Sequence, residues 1–86
     1  MYTKESVVKL PNGLEARPVA MFVQIASEYS SEIMVESDGK KVNAKSIMGM
    51  MCLSLAPGEK VILSAEGADE EEAVTALDDY LSNKEQ

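Results

Sequence analysis

The sequence predicts one small α+β domain, an open-faced sandwich with a four-stranded antiparallel sheet and three helices on one face, in the order β-α-β-β-α-β-α. Three observations carry that expectation. The hydrophobic period switches along the chain between two residues and about 3.6, which separates strands from helices. Turn signals fall at short intervals, at Asn12-Gly13, Asp38-Gly39, Pro57-Gly58 and Gly67-Ala68-Asp69. A chain of 86 residues supports one hydrophobic core, so residues 1–86 form a single domain in which all elements share one interface.

Residues 3–10 read as the first strand, with Val8 and Leu10 alternating against polar neighbours. From Ala16 to about Tyr29 the period becomes helical, and Val19, Phe22, Val23 and Ala26 share one face. Pro18 belongs in that helix's first turn, where its missing N–H is harmless. Residues 33–37 and 41–44 flank Asp38-Gly39-Lys40, a hairpin signal of the type I′ kind. A short helix follows over residues 47–53, with Ser46 as its N-cap, and Pro57-Gly58 stops it. Val61, Leu63 and Ala65 alternate inward on a fourth strand. Asp69 and Glu72 resemble a capping box at the head of a last helix, which would bury Ala73, Ala76, Leu77, Tyr80 and Leu81.

Composition removes several classes of function. Hydrophobic residues make up 45% of the chain but aromatics only 5%, so the core must be aliphatic and Met-rich. There is no histidine, which removes imidazole as base, phosphoryl acceptor or metal ligand. The single Cys52 allows no intramolecular disulfide and fits a reducing compartment. No apolar run approaches the roughly 20 residues a membrane span needs, and Lys4, Glu5 and Lys9 leave no secretory signal visible. A net charge of −7 argues against binding a nucleic-acid backbone. That charge is concentrated: residues 69–86 hold seven acids and one base, while the rest is nearly neutral. A solvated helix face accounts for it. With no catalytic constellation, no phosphate-binding glycine loop and no metal-ligand spacing, the chain reads as neither an enzyme nor a holder of metal or cofactor.

Two helix starts are the candidate sites. The first is Gly13-Leu14-Glu15-Ala16-Arg17-Pro18. A helix N-terminus favours an anion, which Glu15 supplies, and Arg17 adds positive charge; on the residues alone this is an ordinary helix start. The second is Lys45-Ser46-Ile47-Met48-Gly49. An unmodified Ser46 cap is the simpler reading, worth about 1 kcal/mol. Phosphorylated, the same hydroxyl would place about −1.5 to −2 charges where the helix dipole favours them. The helix after it has no polar face. Met50 and Leu53 are the expected inward pair, which leaves Ile47, Met48 and Met51 at least partly exposed as an adaptable docking patch. Cys52 is expected to be a small core or boundary residue. On the first helix Arg17, Ala20, Met21 and Gln24 face outward. Were the two helix starts adjacent, that strip and the Met patch would form one surface rimmed by Arg17 and Lys45.

The segment from Gly13 to Pro18 is similar to the active-site loop of HPr, the histidine phosphocarrier of the bacterial sugar phosphotransferase system. Asp38-Gly39-Lys40 with Asn43-Ala44-Lys45-Ser46-Ile47-Met48-Gly49 is similar to that family's regulatory serine segment, and Pro57-Gly58 and Gly67-Ala68-Asp69-Glu70 fit in register. The resemblance covers the whole chain and implies the same sandwich. One position departs: Glu15 stands where HPr carries its phosphoryl-accepting histidine. The chain thus resembles the catabolite-repression branch of the family, which lacks the histidine and keeps the serine. That resemblance implies phosphorylation of Ser46 by HPr kinase/phosphorylase, then action as a corepressor of catabolite control protein A, a LacI-type transcription factor, in the cytoplasm. It implies Arg17 as partner of the phosphoserine, and Ala20, Gln24, Lys45, Ile47, Met48 and Met51 as docking residues. Direct contact with nucleic acid or membrane is not expected, and the chain is expected as a monomer or strand-swapped homodimer. Two alternatives rest on Glu15: a carrier using it as acyl-phosphate acceptor, or a permanent imitation of the phosphorylated carrier.

Overall fold

The two-residue turn at Asp38-Gly39 sets the first pairing of the sheet. Both residues have positive φ, 51° and 79°, as a type I′ turn requires. In the computed structural model, which describes residues 1–10, 16–53 and 56–82 with only the backbone at Ala16 and Arg17, seven elements follow in order. They are β1 (Tyr2–Val7), α1 (Ala16–Ser27), β2 (Glu32–Ser37), β3 (Lys40–Asn43), α2 (Ile47–Met51), β4 (Lys60–Glu66) and α3 (Glu70–Leu81). The sheet order is β1-β4-β2-β3, and every pairing is antiparallel. Expected and observed element order agree. The expected turn at Asn12-Gly13 and the expectations placed on Leu14 and Glu15 lie outside the described residues.

Alternation decides which face carries the helices. Ile33 and Val35 of β2 and Val61, Leu63 and Ala65 of β4 are buried, while Glu32 before Ile33 and Ile62 between Val61 and Leu63 are exposed. Val19, Phe22, Val23 and Ala26 of α1 close over that face, together with Ala73, Val74, Leu77 and Leu81 of α3. Among the described residues Phe22 is the one aromatic side chain fully enclosed, so the core is aliphatic as composition requires; it is not Met-rich, because Met50 alone of the methionines is buried in it.

Three boundaries differ from the expected ones by two residues or more, each for a local reason, and the strands otherwise shift by one. β1 ends at Val7 because the chain leaves the ladder: Val8 N–H still donates to the Glu59 carbonyl (2.9 Å), but Lys9 N–H turns to Leu81 at the end of α3 (2.7 Å). Val8 and Leu10 are nonetheless buried under the helices. α1 ends at Ser27 because Glu28 and Tyr29 donate to Ile25 and Ala26, three residues back, which tightens the last turn. α2 ends at Met51, since Cys52 and Leu53 also donate three residues back.

The expected capping box of α3 does not form. Asp69 occupies the N-cap position but makes no side-chain bond to its own helix. Its carboxylate instead accepts from the Ser30 N–H (2.9 Å), the Ser31 N–H (3.0 Å) and the Ser31 hydroxyl. Glu70, not Glu72, reaches back, accepting from the Gly67 N–H at 3.1 Å. The buried face of α3 is also rotated from expectation: Val74 and Asp78 are buried, whereas Ala76 and Tyr80 are half-buried. Asp78 is tolerated inside because Ser6 Oγ donates to it at 2.6 Å and Lys4 Nζ at 2.8 Å, fastening α3 to β1.

The Asp69 tie requires a close approach. A Cβ on Gly67, whose φ is 154°, would stand 2.6 Å from Ser31 Oγ and 2.8 Å from Ser31 Cα. Replacing Gly67 by Ala therefore forces Ser31 away from Asp69, and we expect a loss of about 1–3 kcal/mol, the usual cost of overpacking, in urea denaturation. The Ser31 hydroxyl, followed by the Ser30 and Ser31 amides, holds the Asp69 carboxyl below its ordinary pKa. A depressed acid contributes stability that is present above its unfolded value, about 3.9, and lost as pH falls through the folded one. Thermal melts of Asp69→Asn against the unmodified protein should show a lower Tm from pH 5 to 8, with the gap narrowing below pH 4.

Candidate functional site

Ser46 sits where β3 hands over to α2. Its backbone is extended (φ −109°, ψ 114°), as an N-cap needs, and its hydroxyl accepts from the Gly49 N–H at 3.1 Å. The Met50 N–H donates to the Ser46 carbonyl at 3.0 Å. The approach is held by Asn43, whose side-chain oxygen accepts from the Lys45 N–H (2.8 Å) and whose carbonyl accepts from the Ser46 N–H (3.1 Å). Gly49 lets α2 lie against β3. A Cβ there would come within 3.3 Å of Val42 Cβ and 3.4 Å of Ser46 Oγ, so a side chain would press on the cap itself.

The two faces of α2 divide as expected. Met50 is 1% exposed and Leu53 is 9%, pointing into the core. Ile47, Met48 and Met51 are 48%, 78% and 50% exposed, an apolar face left to solvent by a helix too short to turn every side inward. Cys52 is exposed, not a core or boundary residue. Its backbone continues the helical path (φ −70°, ψ −17°), and at that spacing it falls opposite Met50. α1 packs beside α2 and exposes Ala20, Met21 and Gln24.

The positive rim is arranged differently from expectation. The Lys45 ammonium donates to the Tyr29 carbonyl at 2.7 Å, just past the end of α1, where a cation complements the helix dipole. Arg17 lies in the first turn of α1, ten residues before Ser27 and roughly 15 Å away along the axis at 1.5 Å per residue. The residue before Ser46 is thus tied to the end of α1, not to its start, and the side chain of Arg17 lies outside the described ones. Signals that sequence reading missed also meet here. The tie from Lys45 to Tyr29 spans 16 residues and has no local pattern to reveal it.

Among the described residues no group of three or more Cys, Asp or Glu is placed to hold a metal, and no helix is long and apolar enough to cross a membrane. The open face of the sheet carries more acids than bases. Glu5, Ile62, Glu36 and Lys41 form one cross-strand row, and Glu32 stands opposite Glu66.

Comparison with known proteins places this geometry. A family model described as the PTS HPr component phosphorylation site matches residues 2–83. The HPr-like protein Crh of Halalkalibacterium halodurans is 56% identical over 77 residues, which is 90% of this chain and 92% of that one. The HPr-like protein Crh of Bacillus subtilis is 48% identical over 84 residues, 98% of this chain and 99% of that one. Among solved structures, HPr-C-His from Thermoanaerobacter tengcongensis superposes with a TM-score of 0.92 at 56% identity, covering 98% of this chain and 94% of that one. A crystal structure of Bacillus subtilis Crh, described as a dimer with a swapping domain, superposes with a TM-score of 0.78 at 48% identity over 98% of this chain and 97% of that one.

The cap geometry yields its own test. Ser46→Ala removes the bond to Gly49 and should cost about 1 kcal/mol in chemical denaturation. Ser46→Asp, which supplies an acceptor and a negative charge at the same helix start, should recover most of that loss.

Proposed function

The chain belongs to the HPr family, whose members are phosphocarriers or HPr-like regulators and not enzymes, and on that premise we propose that it is a Crh-like regulatory protein switched by phosphorylation of Ser46. The observation that carries this reading is the Ser46 hydroxyl at the head of α2, beside an apolar face left to solvent, in a family chain that has no histidine. Glu15 at the carrier position supports the same reading, because a relay built for an imidazole has no acceptor here.

The mechanism is local. HPr kinase/phosphorylase transfers the γ-phosphoryl group of ATP to Ser46 Oγ, and the hydroxyl proton leaves. The phosphate brings about −1.5 to −2 charges to a helix start whose dipole favours an anion, so α2 stays folded. Its oxygens can replace the hydroxyl as acceptor for the Gly49 N–H, which the cap already aims at this point. The protein then offers one charged group and the apolar side chains of Ile47, Met48 and Met51, with Ala20 and Gln24 on the neighbouring helix, to catabolite control protein A. Charge-assisted hydrogen bonds contribute roughly 1.5–3 kcal/mol each, enough to change affinity tenfold or more without refolding. Lys45, held at the end of α1, steadies the approach to Ser46 and rims the docking face, and Arg17, in the first turn of α1, is the proposed partner of the phosphoserine. The repressor supplies the DNA contact, and the whole exchange takes place in the cytoplasm. The swapped Bacillus subtilis dimer supports strand exchange as a second state of this chain, with β1, at the edge of the described sheet beside β4, as the segment exchanged.

Intact-mass analysis after incubation with HPr kinase and ATP tests the switch. We expect one added phosphoryl group, absent from Ser46→Ala, and no addition from enzyme I with phosphoenolpyruvate. Absence of a kinase-dependent shift would remove the corepressor reading, and a shift from enzyme I would make Glu15 an acceptor and the protein a carrier.

A further inference from the structure

The first strand is fastened to the helices by polar groups where the other strands use apolar ones. β1 lies at the edge of the described sheet beside β4, and α3 packs against it. Tyr2, Lys4 and Ser6 stand opposite Ala65, Leu63 and Val61, so they share the face that the helices cover. Of the six residues of β1 only Ser6 is buried. The burial of apolar side chains that anchors β2 and β4 is therefore missing along β1 and resumes at Val8.

Two of the three inward side chains end on one carboxylate. Ser6 Oγ donates to Asp78 Oδ1 at 2.6 Å, and Lys4 Nζ donates to Asp78 Oδ2 at 2.8 Å. Asp78 is buried, in the middle of α3's inward face. Both bonds run between the first residues of the chain and its last helix, so β1 cannot leave the sheet without breaking them. The ladder to β4 and the bonds from Val8 to Glu59 and from Lys9 to Leu81 complete the attachment.

We propose that Lys4, Ser6 and Asp78 form a lock on the release of β1, which sets how fast two copies of this chain exchange that strand and not how much dimer they form. The consequence for exchange rests on the swapped state proposed above; the lock itself rests on the three side chains. In a swapped dimer each β1 lies on the β4 and α3 of the other copy, so the same bonds form again between copies. Monomer and swapped dimer both keep them, and only the opened chain between the two lacks them. Weakening the lock therefore lowers the barrier equally in both directions and leaves the ratio of the end states unchanged. Hydrogen bonds to a charged group are strong enough for each to slow opening by roughly tenfold.

Amide hydrogen exchange and size-exclusion chromatography of the full chain test this on Lys4→Gln and Asp78→Asn. Ser31→Ala, which loosens the Asp69 tie instead, is the control. We expect Lys4→Gln to speed exchange of the β1 amides roughly tenfold relative to those of α1. Asp78→Asn should act in the same direction, and Lys4→Gln, at a half-exposed side chain, stands in should the buried variant misfold. Isolated monomer and dimer of Lys4→Gln should interconvert faster by a similar factor and reach the same final ratio as the unmodified chain. Ser31→Ala should change neither the relative protection of β1 nor the interconversion rate. Unchanged β1 amides in Lys4→Gln, equal acceleration by Ser31→Ala, or a shifted monomer-to-dimer ratio at an unchanged rate would each overturn the lock. Faster β1 amides in a chain that never dimerises would support the lock and overturn the strand-exchange reading alone.

Discussion

The Asp69 carboxylate is the contact on which the positions of the other parts depend. It joins the head of α3 to the segment that enters β2, by accepting from Ser30 and Ser31. That segment begins at Tyr29, whose carbonyl takes the Lys45 ammonium from the far side. The link from α1 to β2 is therefore held between an anion from α3 and a cation from the approach to α2. Neither hold is local in sequence: one spans 38 and 39 residues and the other 16. The glycine at position 67 exists in this arrangement because Ser31 occupies the space a side chain would need.

This arrangement ties the candidate site to the core. Ser46 follows directly on Lys45, and Gly49 lays α2 on β3 with Val42 against it. Met50 and Leu53 then anchor the short helix from below. A five-residue helix has almost no stability of its own, since nucleation is costly and few bonds repay it. It persists here because both its cap and its underside are fixed by residues elsewhere in the fold. What is left over is an apolar face that the helix has no means to bury. A phosphate at the cap adds charge beside that face and leaves the anchoring contacts in place.

Element order and the buried faces of β4 and α1 were legible because they follow from periodicity, whereas the face of α3 was read one position out of phase. Val61, Leu63 and Ala65, and Val19, Phe22, Val23 and Ala26, needed only the alternation of two and 3.6 to be placed. Ser46 as a cap and the exposure of Ile47, Met48 and Met51 were equally readable, because a Ser before a short helix and the absence of a polar stripe are local signals. Asp69 was misread for the same kind of reason. An acid three residues before another acid resembles a capping box whether or not a distant serine pair competes for it, and here Ser30 and Ser31 win. Asp78 was missed as a buried residue because its partners, Ser6 and Lys4, lie more than 70 residues away.

The sequence by itself thus determined the class of fold, the buried faces of α1 and β4, the turn at Asp38-Gly39 and the candidate hydroxyl at Ser46. These depend on interactions within a few residues, where side-chain spacing and backbone preference decide the outcome. Only the tertiary structure decided what each polar group is bonded to: Asp69 to the entrance of β2, Lys45 to the end of α1, and Asp78 to β1. Hydrogen bonds and charge pairs form between whichever groups the packed core brings within about 3 Å, and no local pattern in the chain encodes that distance.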